Sequence, residues 1–148
     1  MDIQMASTVN ILATPDFDTL PKMFWHGVST RSDATMMRQK ELGVWRSYSW
    51  SEVAEIVANA AAGLMELGLR PGEVVSVLSN TNREWVWTDL AALTAGAVVS
   101  GIYPTDAASQ VEYLCSDSAS TFLFVENEEQ LDKYLQVCKR LQIGRAHV

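Results

Sequence analysis

Asn80-Thr81-Asn82-Arg83-Glu84-Trp85 is the densest group of chemically able side chains in this sequence. It follows Val74 to Leu78, an apolar run interrupted only by Ser76, of the kind found in strands buried on both faces. A polar loop at the carboxyl end of a parallel strand is where open α/β sheets bind ligands. The competing demand is structural, because the next helix needs a cap and Asn80 or Thr81 can supply the oxygen. Every helix needs a cap and few need a ligand, so capping is the expectation here. Arg83 and Glu84 then face solvent and Trp85 enters the core.

The other candidates are weaker. Ile102-Tyr103-Pro104-Thr105 also ends an apolar run. Pro104 fixes the turn and Thr105 can cap a helix, while Tyr103 suits either a cleft wall or loop packing. His26 lies beside Trp25 on a helical pattern and reads as a partly buried, hydrogen-bonded residue with no base chemistry. Glu126, Glu128 and Glu129 have no histidine partner and read as a solvated helix start, not a metal site. Cys115 and Cys138 fit no zinc or CxxC spacing and read as small apolar groups on helices. The five tryptophans (25, 45, 50, 85 and 87) read mostly as core anchors. No Ser–His–Asp or Cys–His set can be assembled, and no GxxxxGK[ST] or GxGxxG loop occurs to hold phosphate. No catalytic, cofactor-binding or metal-binding residue is therefore assigned.

These residues must be positioned by a regular run of elements. Residues 1–18 show no period and read as a loose arm. Thr19 to Ser32 reads as a helix, with Asp18 or Thr19 as cap, Pro21 in the first turn, and Leu20, Phe24 and Val28 on one face. Ala34 to Arg38 and Val44 to Tyr48 read as a hairpin turning at Glu41-Leu42-Gly43, with Met37, Val44 and Trp45 as apolar contacts. Ser49 to Glu52 forms a capping box. The helix beyond it carries Val53, Ile56, Val57, Ala60, Ala61, Leu64 and Leu67 at helical spacing, stopped by Gly68. Strands at Val74 to Leu78, Ala97 to Ile102 and Thr121 to Val125 alternate with helices at Asn82 to Ala95, Ala107 to Ser116 and Glu128 to Leu141. Thr105 or Asp106 would open the second of these helices. The alternation implies an α/β fold with a parallel sheet and right-handed crossovers.

Eleven basic residues face eighteen acidic ones, for a net charge of −7. That balance argues against a nucleic-acid surface and against a polybasic membrane patch. A hydrophobic fraction of 48% fits a globular protein with a real core. No basic leader or membrane-length apolar run is visible, so a cytoplasmic location is expected.

Three stretches in order carry a family resemblance. They are Arg38 to Trp45 running into Tyr48-Ser49-Trp50, then Ser79 to Trp85, then Gly101 to Thr105. Together they resemble the N-terminal part of the AMP-forming acyl-CoA synthetases, most closely the bacterial long-chain fatty-acid–CoA ligases. The resemblance implies a partial AMP-binding subdomain over residues 19–141, within the large domain of a much longer enzyme. It implies a parent that uses ATP, Mg2+ and CoA to activate a fatty acid through an acyl-adenylate, with peripheral membrane contact open. The Ser/Thr/Gly-rich phosphate loop, the magnesium-holding acid and the lid lysine of that family would lie beyond Leu141. The chain alone is then expected to be inactive and to bind none of the three tightly. Ile143 to Val148 reads as the translation of a short-read sequencing adapter, so residues 142–148 are expected to be a non-native tail. Two other readings stay open: a small α/β binding module, and a related adenylate-forming enzyme such as a fatty acyl-AMP or aryl-CoA ligase.

Overall fold

A computed structural model of the chain describes residues 18–141 and 143. The expected arm falls outside the described residues except for Asp18, and the expected tail except for Ile143.

Thr19 caps α1 (Leu20–Arg31), accepting from the Lys22 N–H, with Pro21 in the first turn. Phe24 is buried, but Leu20 is exposed, because only the middle of the helix meets the body of the protein. The hairpin pairs β1 (Thr35–Glu41) with β2 (Val44–Ser49) in antiparallel register. Met37 packs on the core as expected, whereas Val44 and Trp45 stand in solvent beside the turn.

Ser49 and Glu52 form a reciprocal capping box at the start of α2 (Trp50–Glu66). Val53, Ala54, Val57, Ala61 and Leu64 face the core, while Ala60 is exposed. The helix ends in a Schellman motif. The Leu69 N–H reaches the Leu64 carbonyl and the Gly68 N–H reaches that of Met65, with Gly68 at φ 98°.

Three parallel strands follow: β3 (Val74–Leu78), β4 (Val98–Ile102) and β5 (Ser120–Val125). Their spatial order is β4-β3-β5, so β3 is central and the chain passes from one edge to the other between β4 and β5. The crossovers are α3 (Arg83–Thr94) and α4 (Ala108–Asp117). The last helix, α5 (Glu128–Val137), gives way to a 3-10 turn at Cys138–Arg140 and so ends short of Leu141.

The sheet is covered on both faces. One core joins Val75 and Phe122 to Phe24, Tyr48, Val57, Leu64 and Ala91, which come from α1, the hairpin, α2 and α3. The other joins Leu78, Ile102 and Leu123 to Val111, Cys115 and Tyr134, which come from α4 and α5. Ser76, on the central strand, is fully buried and bonded to Ser120 at 2.5 Å, so its hydroxyl is satisfied inside the sheet.

Candidate functional site

The order β4-β3-β5 creates a topological switch point between β3 and β5, where the chain's connections diverge to opposite sides. Crevices at the carboxyl ends of strands at such a point are the usual ligand sites of open α/β sheets. A cleft of about 410 Å3 lies at this place. Val77, Ser79, Phe124, Val125 and Glu126 line it from the strand ends, and Asn82, Glu84, Trp85 and Thr88 line it from α3 and its cap.

Glu126 organises the cleft. Its Oε2 accepts from the Asn80 backbone N–H at 2.7 Å, from Asn80 Nδ2 at 2.9 Å and from Ser79 Oγ at 3.4 Å. The carboxylate therefore ties the end of β5 to the loop after β3. The parallel register explains the meeting, since Leu78 pairs with Val125 and the next residue on each strand falls alongside. The expectation of a solvated helix start is corrected for Glu126. It holds no place in α5, whose cap is Asn127, accepting from the Gln130 N–H.

Asn82, not Asn80 or Thr81, caps α3, with its Oδ1 accepting from the Trp85 N–H at 2.8 Å. This frees Asn80 to bond Glu126. Trp85 is half-buried on the cleft wall and does not enter the core. Arg83 is also misplaced by the sequence reading. Its side chain is 21% exposed, ion-paired with Glu41 and Glu84, donating to the Tyr48 hydroxyl, and lying over the rings of Tyr48 and Trp87. The Arg83 N–H donates to Gln39 Oε1 at 2.7 Å. One residue thus pins the hairpin to the start of α3, and the half-buried guanidinium is compensated by two carboxylates and two π faces.

The remaining candidates disperse. Tyr103 is 75% exposed at the end of β4, away from any core, and the Pro104 carbonyl accepts from Lys133 Nζ. Neither Thr105 nor Asp106 caps α4. Its cap is Ala107, with no side-chain bond. His26 is exposed on α1, with its carbonyl accepting from Ser29 and Thr30. Cys115 is buried and Cys138 half-buried in the 3-10 turn. Burial pushes the Cys115 thiol up, against the opposing bonds from Ser76 and Ser120, so it stays protonated near neutral pH and is a poor nucleophile. Trp25, Trp50 and Trp87 pack on the first core, but Trp45 is in solvent and Trp85 is in the cleft.

The cleft's charge limits what it can hold. Its lining includes two carboxylates, Glu84 and Glu126, and no lysine or arginine among the described residues. A triphosphate requires cations or a glycine-rich run of N–H groups, and the Glu126 carboxylate already takes the Asn80 N–H. These residues do not fit ATP or its Mg2+-bound phosphates, and no chemical step is assigned to them. Among the described residues no three His, Cys, Asp or Glu side chains are grouped to hold a metal.

The AMP-binding enzyme family model matches residues 24–147, most of the chain and all of the cleft. The chain belongs to the AMP-binding enzyme family. Among curated relatives, the long-chain-fatty-acid–CoA ligase ACSBG1 of Homo sapiens is 28% identical over 123 residues, covering 83% of this chain and 17% of the relative. FadD15 of Mycobacterium bovis, a long-chain-fatty-acid–CoA ligase, is 40% identical over 86 residues, covering 58% of this chain and 14% of the relative. Among solved structures, the anthranilate CoA ligase AuaEII superposes with a TM-score of 0.78 at 21% identity, over 91% of this chain and 25% of that one. Acetoacetyl-CoA synthetase from Streptomyces lividans gives 0.76 at 24% identity, over 85% and 21%. At these identities the structures establish the fold alone, an α/β unit that recurs within both of these longer chains. The chain spans about 17% of the length of its first curated relatives.

Proposed function

We propose that this chain is the N-terminal portion of a long-chain fatty-acid–CoA ligase. The parent would join a fatty acid to CoA in the cytoplasm, with ATP converted to AMP and pyrophosphate. The observation that carries the reading is the family match running through the whole α/β unit, together with relatives named as long-chain-fatty-acid–CoA ligases. ATP, Mg2+ and CoA would be held by later parts of the parent, because the switch-point cleft here is acidic and holds no phosphate-binding group. The role of residues 19–141 is then architectural. They form a three-stranded sheet and a clamped hairpin on which the catalytic parts assemble, and alone they turn over nothing.

Reading the source DNA through and past the codon for Leu141 tests this. An open frame that continues into a Ser/Thr/Gly-rich loop, with residues 142–148 replaced by other codons, is the expected result. The family match runs to residue 147, so the codons for 142–148 must be read as well as those beyond them. A genomic stop directly after Val148 would overturn the reading and leave a small α/β binding module in its place.

A further inference from the structure

We propose that the tip of the β1–β2 hairpin docks on an anionic lipid surface. Leu42 and Gly43 form the two-residue turn, both with positive φ, at 47° and 86°. That geometry favours Asn-Gly, and a leucine there is strained. Leu42 is also completely exposed, at 106%, so it contributes no packing in return. A strained, fully solvated leucine at an apex is unexplained by folding and points to a contact outside the chain.

Its neighbours define that contact. Val44 is 70% exposed and Trp45 63% exposed beside the turn. Trp45 pairs with Lys40 across the strands, and Arg38 pairs with Ser47 two positions further along, so Arg38, Lys40 and Trp45 share the outward face. The inward face carries Gln39, Glu41 and Tyr48, all engaged by Arg83, together with Val44 and Arg46. The outward face thus holds two cations, Arg38 and Lys40, while Arg46 lies on the inward face over the Tyr48 ring, and residues 35–49 contain a single acid. That acid, Glu41, is paired with Arg83. The tip is therefore locally cationic in a chain of net charge −7. An apolar apex with an indole beside it and lysine or arginine behind it is the pattern of an interfacial lipid contact. The leucine at the apex enters the headgroup boundary, the indole sits at its level, and Arg38 and Lys40 meet anionic headgroups.

The test uses the 148-residue chain with two vesicle types: phosphatidylcholine alone, and phosphatidylcholine mixed with phosphatidylglycerol. The chain should sediment with the mixed vesicles, release as salt rises, and stay in the supernatant with phosphatidylcholine. Leu42→Asn and Trp45→Ser should each lower partitioning by roughly tenfold. Lys40→Glu should weaken binding and flatten its salt dependence. All three side chains are exposed, and unchanged far-ultraviolet dichroism confirms that the variants fold. No sedimentation with anionic vesicles overturns the proposal, as does binding that survives Trp45→Ser. A concentration-dependent dimer abolished by Trp45→Ser, without vesicle binding, would assign the tip to a second copy instead. In the longer parent, protection of Trp45 from acrylamide without lipid would assign it to an internal contact and equally overturn the proposal.

Discussion

At the scale of single residues, Glu126 and Asp89 carry the clearest consequences. Removing the Glu126 carboxylate leaves the Asn80 N–H and amide without their acceptor, in a loop where solvent can partly replace it. Glu126→Ala should therefore cost about 1 kcal/mol. Glu126→Gln, which keeps an acceptor, should cost less. Urea unfolding of both variants measures this, and equal losses would contradict the bond-by-bond account. Asp89 behaves in the opposite sense. Burial raises its carboxyl above the ordinary aspartate value, so the folded chain holds that proton more tightly than the unfolded chain. Its contribution to stability is full below the unfolded pKa and is lost as pH rises through the folded one. Asp89→Asn should raise Tm at pH 7, with the gain shrinking as pH falls through the carboxylate range. A gain that does not change with pH would contradict this. Neither residue's role was legible in sequence. Glu126 stands next to Glu128 and Glu129 and looks like a helix start. Its true partner follows from β5 lying beside β3, and strand order leaves no local signal.

At the scale of elements, the hairpin and α3 act as one piece through Arg83. A lysine at this position retains the charge but loses the planar contact with Tyr48 and Trp87. Arg83→Lys should cost about 1–2 kcal/mol and increase hydrogen exchange in β1 and β2. Exchange unchanged in the hairpin would show that it is held some other way. The turn offers a converse case. Leu42→Asn relieves a left-handed leucine and should stabilise the chain by about 1 kcal/mol. A loss of stability would mean that the leucine packs on something. The elements themselves were largely legible. The apolar run Val74 to Leu78, the Ser49–Glu52 capping box and the Gly68 stop each rest on contacts within a few residues, which sequence records directly. Arg83 looks solvated in the sequence because its partners Gln39, Glu41 and Tyr48 lie on a hairpin far away along the chain. The alternation of β1 was the available signal. It places Gln39 and Glu41 on the same face as Met37, turned toward the body of the protein, where a carboxylate needs a cation.

At the scale of the whole molecule, two cores sandwich a short parallel sheet whose outer strands, β4 and β5, each pair on one side among the described residues. An apolar cleft of about 220 Å3 runs between α2 and β5, lined by Leu64, Leu67, Phe122 and Phe124 among others. The α/β class and the family were legible because the alternation of elements and three ordered stretches are continuous in sequence. The switch-point cleft was visible only as a polar loop, since its far wall comes from β5. Its acidity separates the fold from the chemistry: the site is placed where ligands bind in such sheets, but its charges oppose a nucleotide. The most direct measurement is pyrophosphate exchange. The purified, folded chain is incubated with ATP, Mg2+, a long-chain fatty acid and labelled pyrophosphate, and label is counted in ATP. No fatty-acid-dependent label above buffer is the predicted result, and exchange that requires the fatty acid would contradict an architectural role for this chain.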